Sequence, residues 1–347
     1  MFYPKIKVPV LQNRAFNTKE EAVQSDYGFL QIEQDPQTGI FENRLFEPGK
    51  LIYDQNYDNE QANSPSFEAH LDQVAEILKP FMEGKKVIEV GCGKGHFFRK
   101  LSDRGANIVG CDPTYQGDDP RIIREFFSPE LGQKGDVIIL RHVLEHIQHP
   151  ADFIRYIAQS NGNKGVIYIE VPDLSWIIAN QVYFDLFYEH VNYFRPEDFR
   201  RIFGKIHAQG VFFNGQYQYV IADLSSVNLP PYVFEKVDDQ LQVSFQKLDQ
   251  IGSTLMNSGK PVYIWGAASK GVISGLHLQN RGVKVEGLID INPGKQNKFA
   301  AMTGLPILSP SGFKAKTVNA VVLIANPNYE SEIRAELQGM DIDFVNL

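Results

Sequence analysis

Residues 142–146 read HVLEH and gather three groups able to move a proton or grip a metal. His142, Glu145 and His146 have the H-x-x-E-H spacing that, on a helix, places two histidines on one face with a glutamate beside them as a base. A zinc hydrolase built this way needs a further ligand from another element, and Glu170 and His190 are the candidates. Three other stretches carry chemistry. EVGCGKG sets Glu89, Gly91, Gly93 and Gly95 across a strand-to-helix turn, where glycine lets the backbone bend sharply beside a ligand. The helix that follows aims free N–H groups at that ligand. Asp112 ends the next strand, where a carboxylate can accept both hydroxyls of a ribose. FYEH, residues 187–190, clusters Tyr188, Glu189 and His190, with Tyr193 close behind. GAASKG, residues 266–271, is a second glycine turn, and Lys270 at a helix start suits an anion such as a diphosphate. Asp290 ends the strand after it, and Lys295 and Asn326 are lesser candidates.

These residues need elements to position them. The chain has 347 residues, enough for two or three domains, and 43% are hydrophobic. A net charge of −8 argues against non-specific binding to nucleic acid or anionic membrane. Two cysteines, Cys92 and Cys111, are too few for a disulfide framework or a cysteine zinc site. No signal peptide or membrane span is evident, so the expected location is the cytoplasm. Residues 1–62 are polar and weakly periodic. From Ser64 the apolar positions Phe67, Leu71, Val74, Ile77 and Leu78 predict a helix. Strands are then predicted at 86–90, 107–112, 136–142 and 165–172. Helices are predicted over 95–105 and from 142 to about 158. This alternation implies a parallel, doubly wound sheet. An NG turn at 214–215 predicts an antiparallel hairpin. A helical bridge leads to a second α/β unit. The expected division is 1–62, 63–227 and 228–347.

The turn at Gly91–Gly95 has G-x-G-x-G spacing rather than the G-x-G-x-x-G of a dinucleotide fold. With Glu89 two residues ahead of the first glycine, it resembles motif I of the class I S-adenosylmethionine methyltransferases. REFFSPEL, residues 124–131, falls where such enzymes contact adenine, which implies Phe126 or Phe127 beside the ring. The longer series HVLEHIQHP, IEVPD and FYEHVNYF resembles the sugar-nucleotide C-methyltransferase family, and the likeness runs through PVLQNRAF, VYIWGAASKG and LIDINPGKQ over nearly the whole chain. It implies a class I Rossmann-like methyltransferase domain, a small N-terminal region and a second Rossmann-like α/β domain that helps hold a nucleotide-linked keto sugar. It also implies S-adenosylmethionine as cofactor, contacted by Glu89, Gly91, Gly93, Gly95, Asp112 and Tyr57, with Tyr53, Tyr193, Lys270 and Asp290 toward the substrate.

His190 is the expected base, since histidine takes a proton near neutral pH, with Glu189 or a nearby carboxylate raising its basicity. Tyr188, Tyr193 and His142 are the expected donors to an enolate oxygen. Two departures from the family stand out. No cysteine precedes Cys92, so its four-cysteine N-terminal zinc site is expected to be missing, and no metal is expected. Tyr188 replaces the first histidine of the family's YHEH, which leaves methylation at carbon and at oxygen both open. The rival readings are the zinc hydrolase, a NAD-dependent oxidoreductase on the second unit, and a binding module without activity. The strand directly before His142 counts against the first, because it puts His142 in a loop at the rim of the sheet. Glu145 and His146 then read as structural.

Overall fold

The computed structural model describes residues 5–51, 64–228, 243–316 and 319–347. The junctions proposed after residues 62 and 227 fall in or beside segments outside that set. The N-terminal stretch folds into short pieces: β1 (Ile6–Pro9), β2 (Ala15–Phe16), α1 (Lys19–Val23), β3 (Tyr27–Leu30), β4 (Ile32–Gln34) and β5 (Phe41–Asn43). Thr18 starts α1 with a reciprocal cap, its hydroxyl accepting from the Glu21 N–H and the Glu21 carboxylate accepting from its own N–H. β1 pairs with β3 and β4 with β5, both antiparallel, and no single core is buried within this stretch alone.

The central unit opens with α2 (Pro65–Met82). Ser64 caps it and Pro65 occupies the first turn, where its missing N–H costs nothing. The buried face is Phe67, His70, Leu71, Val74, Ala75 and Leu78. Each large apolar side chain so buried is worth about 1.5–3 kcal/mol. There follow β6 (Lys86–Val90), α3 (His96–Asp103), β7 (Asn107–Cys111), β8 (Ile122–Ile123), β9 (Val137–Arg141), α4 (Pro150–Ser160), β10 (Val166–Pro172), α5 (Leu174–Asn180), β11 (Asn192–Tyr193), α6 (Pro196–Ile202), β12 (Ile206–Phe212) and β13 (Tyr217–Asp223). Seven of these strands form one sheet in the order β12-β13-β10-β9-β6-β7-β8. It is parallel from β10 to β8, and the β12–β13 hairpin adds antiparallel strands at one edge. Successive residues point to opposite faces. Val87, Val137 and Ile139 pack with α2 and α3, while Ile88, Ile138 and Leu140 pack with α4 and α6. Both faces are therefore covered, as the alternating pattern predicts.

One predicted element is wrong. No α-helix starts at His142. The residue is left-handed, with φ 52°, and Leu144–His146 form a single 3-10 turn. α4 starts only at Pro150, because proline at the first helical position sets the start and disfavours helical backbone just before it.

The C-terminal unit contains α7 (Val243–Ser258), β14 (Val262–Trp265), α8 (Ser269–Asn280), β15 (Val285–Ile289), β16 (Phe299–Ala300), β17 (Ile307–Leu308), α9 (Pro310–Lys316), β18 (Asn319–Ile324), α10 (Glu330–Glu336) and β19 (Asp341–Asn346). Its five-stranded sheet is wholly parallel, in the order β17-β15-β14-β18-β19. Gly271 is required where α8 leaves β14, since a Cβ there would lie 1.8 Å from the Gly266 carbonyl oxygen. Later strands complete the N-terminal stretch: β11 pairs with β5, and β16 pairs with β2. Val8, Leu30 and Phe41 share one core with Tyr188, Ile264 and Leu323. Among the described residues no helix is long and apolar enough to cross a membrane.

Candidate active site

The first glycine turn leaves β6 with Gly91, Gly93 and Gly95 all at positive φ, 72°, 55° and 74°. A Cβ on Gly91 would lie 2.4 Å from the Val143 side chain, so the turn and the HVLEH loop press together. Asp112 fixes the turn. One carboxylate oxygen accepts from the Gly93 N–H at 2.7 Å, and the other from the Thr114 N–H and hydroxyl at 2.8 and 2.7 Å. Its first task is thus to hold two loops, a role the sequence reading did not give it. Glu89 is 3% exposed, and its Oε2 has no hydrogen-bond partner. Burial, opposed by Arg141 and aided by Asp112, lifts its carboxyl to about 7. An orphaned acidic oxygen beside a glycine turn is a place where a cationic ligand gains and a pyrophosphate loses. Glu89 and the turn therefore fit the ammonium and sulfonium charges of S-adenosylmethionine.

The two aromatics proposed beside adenine part company. Phe127 is 5% exposed and packs in the sheet core with Val90 and Cys111, while Phe126 is 78% exposed. Phe127 could offer a ring edge from the core and Phe126 a whole face from solvent, and neither lines the cavity between the two parallel sheets. Tyr53 and Tyr57 lie outside the described residues.

A cavity of about 490 Å³ opens between the carboxyl ends of the two parallel sheets. His142, Glu145, His146 and His190 line one side; Lys270, Asp290, Lys295 and Asn326 line the other. This is where ligands of doubly wound sheets collect. Three proposed catalytic or substrate residues are not part of it. Tyr188 is fully buried and turns to the N-terminal stretch, where its hydroxyl accepts from the Glu47 N–H at 2.8 Å. Tyr193 donates its hydroxyl to the Phe187 carbonyl at 3.1 Å and bridges the loop that carries His190. Glu189, also fully buried, accepts from the Gln12 N–H at 3.1 Å. These side chains build the loop and do not reach the cavity. Tyr188→Phe should accordingly leave turnover nearly unchanged and lower stability by about 1 kcal/mol, read from a urea unfolding curve. A large loss of turnover at full stability would return Tyr188 to the chemistry.

Of the proposed enolate donors, His142 alone lines the cavity. Its Nδ1 lies 3.3 Å from Glu145 Oε1, and its Nε2 lies 3.1 Å from Glu170 Oε1, off the line of a good hydrogen bond. Burial alone would depress its pKa. Glu145 and Glu170 outweigh burial and raise it to about 9, so His142 is a cation at neutral pH. His190 is the opposite. Burial, with His146, Lys270 and His142 around it, holds it well below the ordinary histidine value, so it is neutral. The expectation that a carboxylate raises its basicity is therefore overturned: Glu189 faces away, and the positive neighbours prevail. A neutral imidazole is still the form that accepts a proton.

Beneath the cavity, Glu170 of β10 is fully buried and collects four partners. Arg141 Nη2 is at 3.2 Å, His70 Nε2 at 2.9 Å and the Tyr168 hydroxyl at 2.5 Å, with His142 as the fourth. Burial alone would raise its carboxyl. Arg141, His142 and His70 outweigh that and hold it well below the usual carboxylate range. Across the cavity, Lys270 pairs with Asp185, and Asp290 accepts from the N–H groups of Ala267 and Asn292 at 2.6 and 2.8 Å. Asp290 latches the second glycine turn as Asp112 latches the first. Lys270 is partly neutralised by Asp185, a partner that sequence reasoning did not see, because nothing in the spacing links residues 185 and 270. The zinc spacing is not formed as expected, since His142 lies in the loop. The described groups that come together are Glu145, His146 and His190, with ligand atoms within 4.8 Å of one another. His190 Nε2 and Glu145 Oε1 are 4.0 Å apart, wider than the roughly 3.4 Å between two ligands of a tetrahedral zinc with bonds of about 2.1 Å.

Comparison with known proteins adds the following. Residues 62–208 match the family model of a methyltransferase domain, and residues 230–343 match that of a C-methyltransferase C-terminal domain. The tRNA U34 carboxymethyltransferase of Campylobacter hominis is 26% identical over 137 residues, covering 31% of this chain and 48% of that protein. The ubiquinone biosynthesis O-methyltransferase of Pseudomonas aeruginosa is 30% identical over 92 residues, covering 21% of this chain and 38% of that protein. The chain spans less than half the length of these curated relatives. A magnesium protoporphyrin IX methyltransferase from Synechocystis PCC 6803, solved with bound SAH, superposes with a TM-score of 0.35 at 21% identity, over 45% of this chain and 82% of the other.

Proposed function

We propose that this chain is a class I S-adenosylmethionine-dependent methyltransferase and that its acceptor is the carbon beside the keto group of a nucleotide-linked sugar. The supporting observation is the pair of imidazoles in the shared cavity, one neutral and one cationic. Two titratable groups pushed apart by their surroundings divide acid and base roles between them. His190 takes the proton from the acceptor carbon, and the electrons of that C–H bond pass into an enolate. The His142 cation, with Nδ1 toward Glu145 and Nε2 toward Glu170, lines the same cavity and opposes the negative charge of the enolate through its field. Bound S-adenosylmethionine would supply the electrophilic methyl to the enolate carbon, its sulfur leaving with the bond electrons as S-adenosylhomocysteine. Transfer to a hydroxyl needs a base but builds no enolate, so a cation in the cavity wall favours carbon.

Glu89, Gly91, Gly93, Gly95 and Asp112 are the proposed cofactor contacts. The amino end of α8, with Lys270 and Lys295 along the cavity, is the proposed place for the diphosphate. The test is methyl-labelled S-adenosylmethionine offered with a panel of nucleotide sugars, in keto and reduced forms. The expected result is a one-methyl mass gain on a keto sugar with loss of an α-deuterium from labelled substrate. Methyl found on oxygen, or transfer to none of the panel, sinks the proposal.

A further inference from the structure

Tyr188 and Tyr193, the tyrosines expected to face an enolate oxygen, serve the loop instead. A third tyrosine stands where they do not. Tyr217 is the first residue of β13 and pairs with Pro172 at the carboxyl end of β10. That register puts it in the wall of the cavity, beside His142. Its ring meets the His142 ring edge-on, with centroids 4.6 Å apart. It stacks on Phe213 at 5.3 Å with the planes 4° apart, and the His70 ring lies 5.5 Å away. Rings on three sides leave the phenol little freedom.

The residue is 5% exposed. A tyrosine hydroxyl so deep usually finds a hydrogen-bond partner, and that of Tyr217 makes no hydrogen bond among the described residues. Two groups that bear on it electrostatically, Tyr329 and Asp185, line other parts of the same cavity. Burial, with Tyr329, Asp185 and Glu170, holds the hydroxyl well above its ordinary value against the pull of Arg141, so it keeps its proton. Other donors around the cavity are engaged. Both His142 nitrogens face carboxylates, Lys270 pairs with Asp185, and Asn326 Nδ2 donates to Gln216 Oε1 at 3.1 Å.

The turn just before Tyr217 is strained. Phe213 and Asn214 have φ of 52° and 55°, a left-handed region that a bulky side chain seldom enters. The C-terminal unit holds this turn in place. Asn328 Nδ2 donates to the Phe213 carbonyl at 3.0 Å and to Gln216 Oε1 at 2.8 Å, and Asn214 Nδ2 donates to Asn328 Oδ1 at 2.7 Å. Such strain persists only where its surroundings impose it, and it gathers at working sites.

The geometry points to Tyr217 as a catalytic donor whose hydroxyl holds the keto oxygen of the acceptor while it becomes an enolate. This rests on the reading of the acceptor as a keto sugar. His190 takes the proton from the α-carbon, the C–H electrons form the C=C bond, and the carbonyl π electrons move onto oxygen. Tyr217 keeps its own proton and directs it at that oxygen, with the His142 cation beside the phenol ring opposing the same charge. A donor already fixed in a closed site needs no reorganisation when the charge appears.

The test is wash-out of an α-deuterium from the keto nucleotide sugars of the panel, with S-adenosylhomocysteine present so that no methyl moves. Tyr217→Phe keeps the ring and removes a hydroxyl that holds nothing in the protein. Its urea midpoint should stay in place and its KM change little, while wash-out slows about 10²–10³-fold. Wash-out at the wild-type rate overturns the proposal. A lowered midpoint overturns it too, since the hydroxyl would then serve the fold. An infrared spectrum of the wild type needs no variant: the 13C-labelled carbonyl band of the bound sugar should move to lower frequency, and an unmoved band overturns the proposal. If the wild type exchanges none of the keto sugars, the acceptor reading falls and the donor with it. If the wild type exchanges and Tyr217→Phe keeps pace, the donor alone falls.

Discussion

His190→Ala should lower turnover by about two to four orders of magnitude while leaving S-adenosylmethionine affinity nearly unchanged. The ring lines the cavity and is kept neutral by burial and by its positive neighbours, so it is ready to accept a proton throughout the neutral range. Glu89, Gly93 and Asp112 do not line that cavity, and none of the contacts of His190 is to them. The measurement is steady-state kinetics beside calorimetry with the cofactor. A variant with near-normal turnover removes His190 from the role, and one that no longer binds cofactor shows a structural effect instead. The same pair sets the pH profile. In the proposed reaction His142 acts as a cation, so activity should fall as pH rises through about 9. The sign for stability agrees: the folded value lies above the ordinary 6.5, so the His142 pairing stabilises fully below about pH 6.5 and is lost through about pH 9.

Glu170→Ala should destabilise the fold by about 3–5 kcal/mol, the range for removing one partner of a buried ion pair. The change strands Arg141, whose guanidinium is almost wholly buried over the Phe97 ring, and takes a partner from His70, Tyr168 and His142. Urea unfolding at neutral pH reads the effect; a loss under about 1 kcal/mol would show that the network is not holding the sheet. The pH dependence has a definite direction. The folded carboxyl lies well below 4.5, so its contribution is present above about pH 4.5 and is lost only as pH falls through that depressed value. Glu170→Gln should therefore remove much of the acid limb of the stability curve.

The alternation of strand and helix was readable because it depends on local periodicity: 86–90 and 107–111 appear within a residue of where the apolar runs put them. The glycine turn was readable for the same reason, since positive φ at Gly91, Gly93 and Gly95 is a local demand. Contacts distant in sequence were not. Tyr188 meets Glu47 and Glu189 meets Gln12, and no spacing rule joins such pairs. The approach of Glu145 to His190 was not legible either, because the two lie on different loops. His142 kept its place at the rim because the strand before it was legible. Charge states needed burial, which a sequence does not state: two histidines of one letter differ here by what surrounds them.

The pairing of β2 with β16 has a consequence for how the chain comes into being. A ribosome releases Phe16 long before Phe299, and domains tend to fold in the order of synthesis. β2 must wait, with its edge exposed, until almost all of the polypeptide exists, and contacts so far apart in sequence form slowly. The loop bearing His190 waits less, because β5 can close on β11 once residue 193 exists. The N-terminal stretch is thus completed only near the end of assembly, and nascent fragments ending before residue 299 leave β2 without its partner.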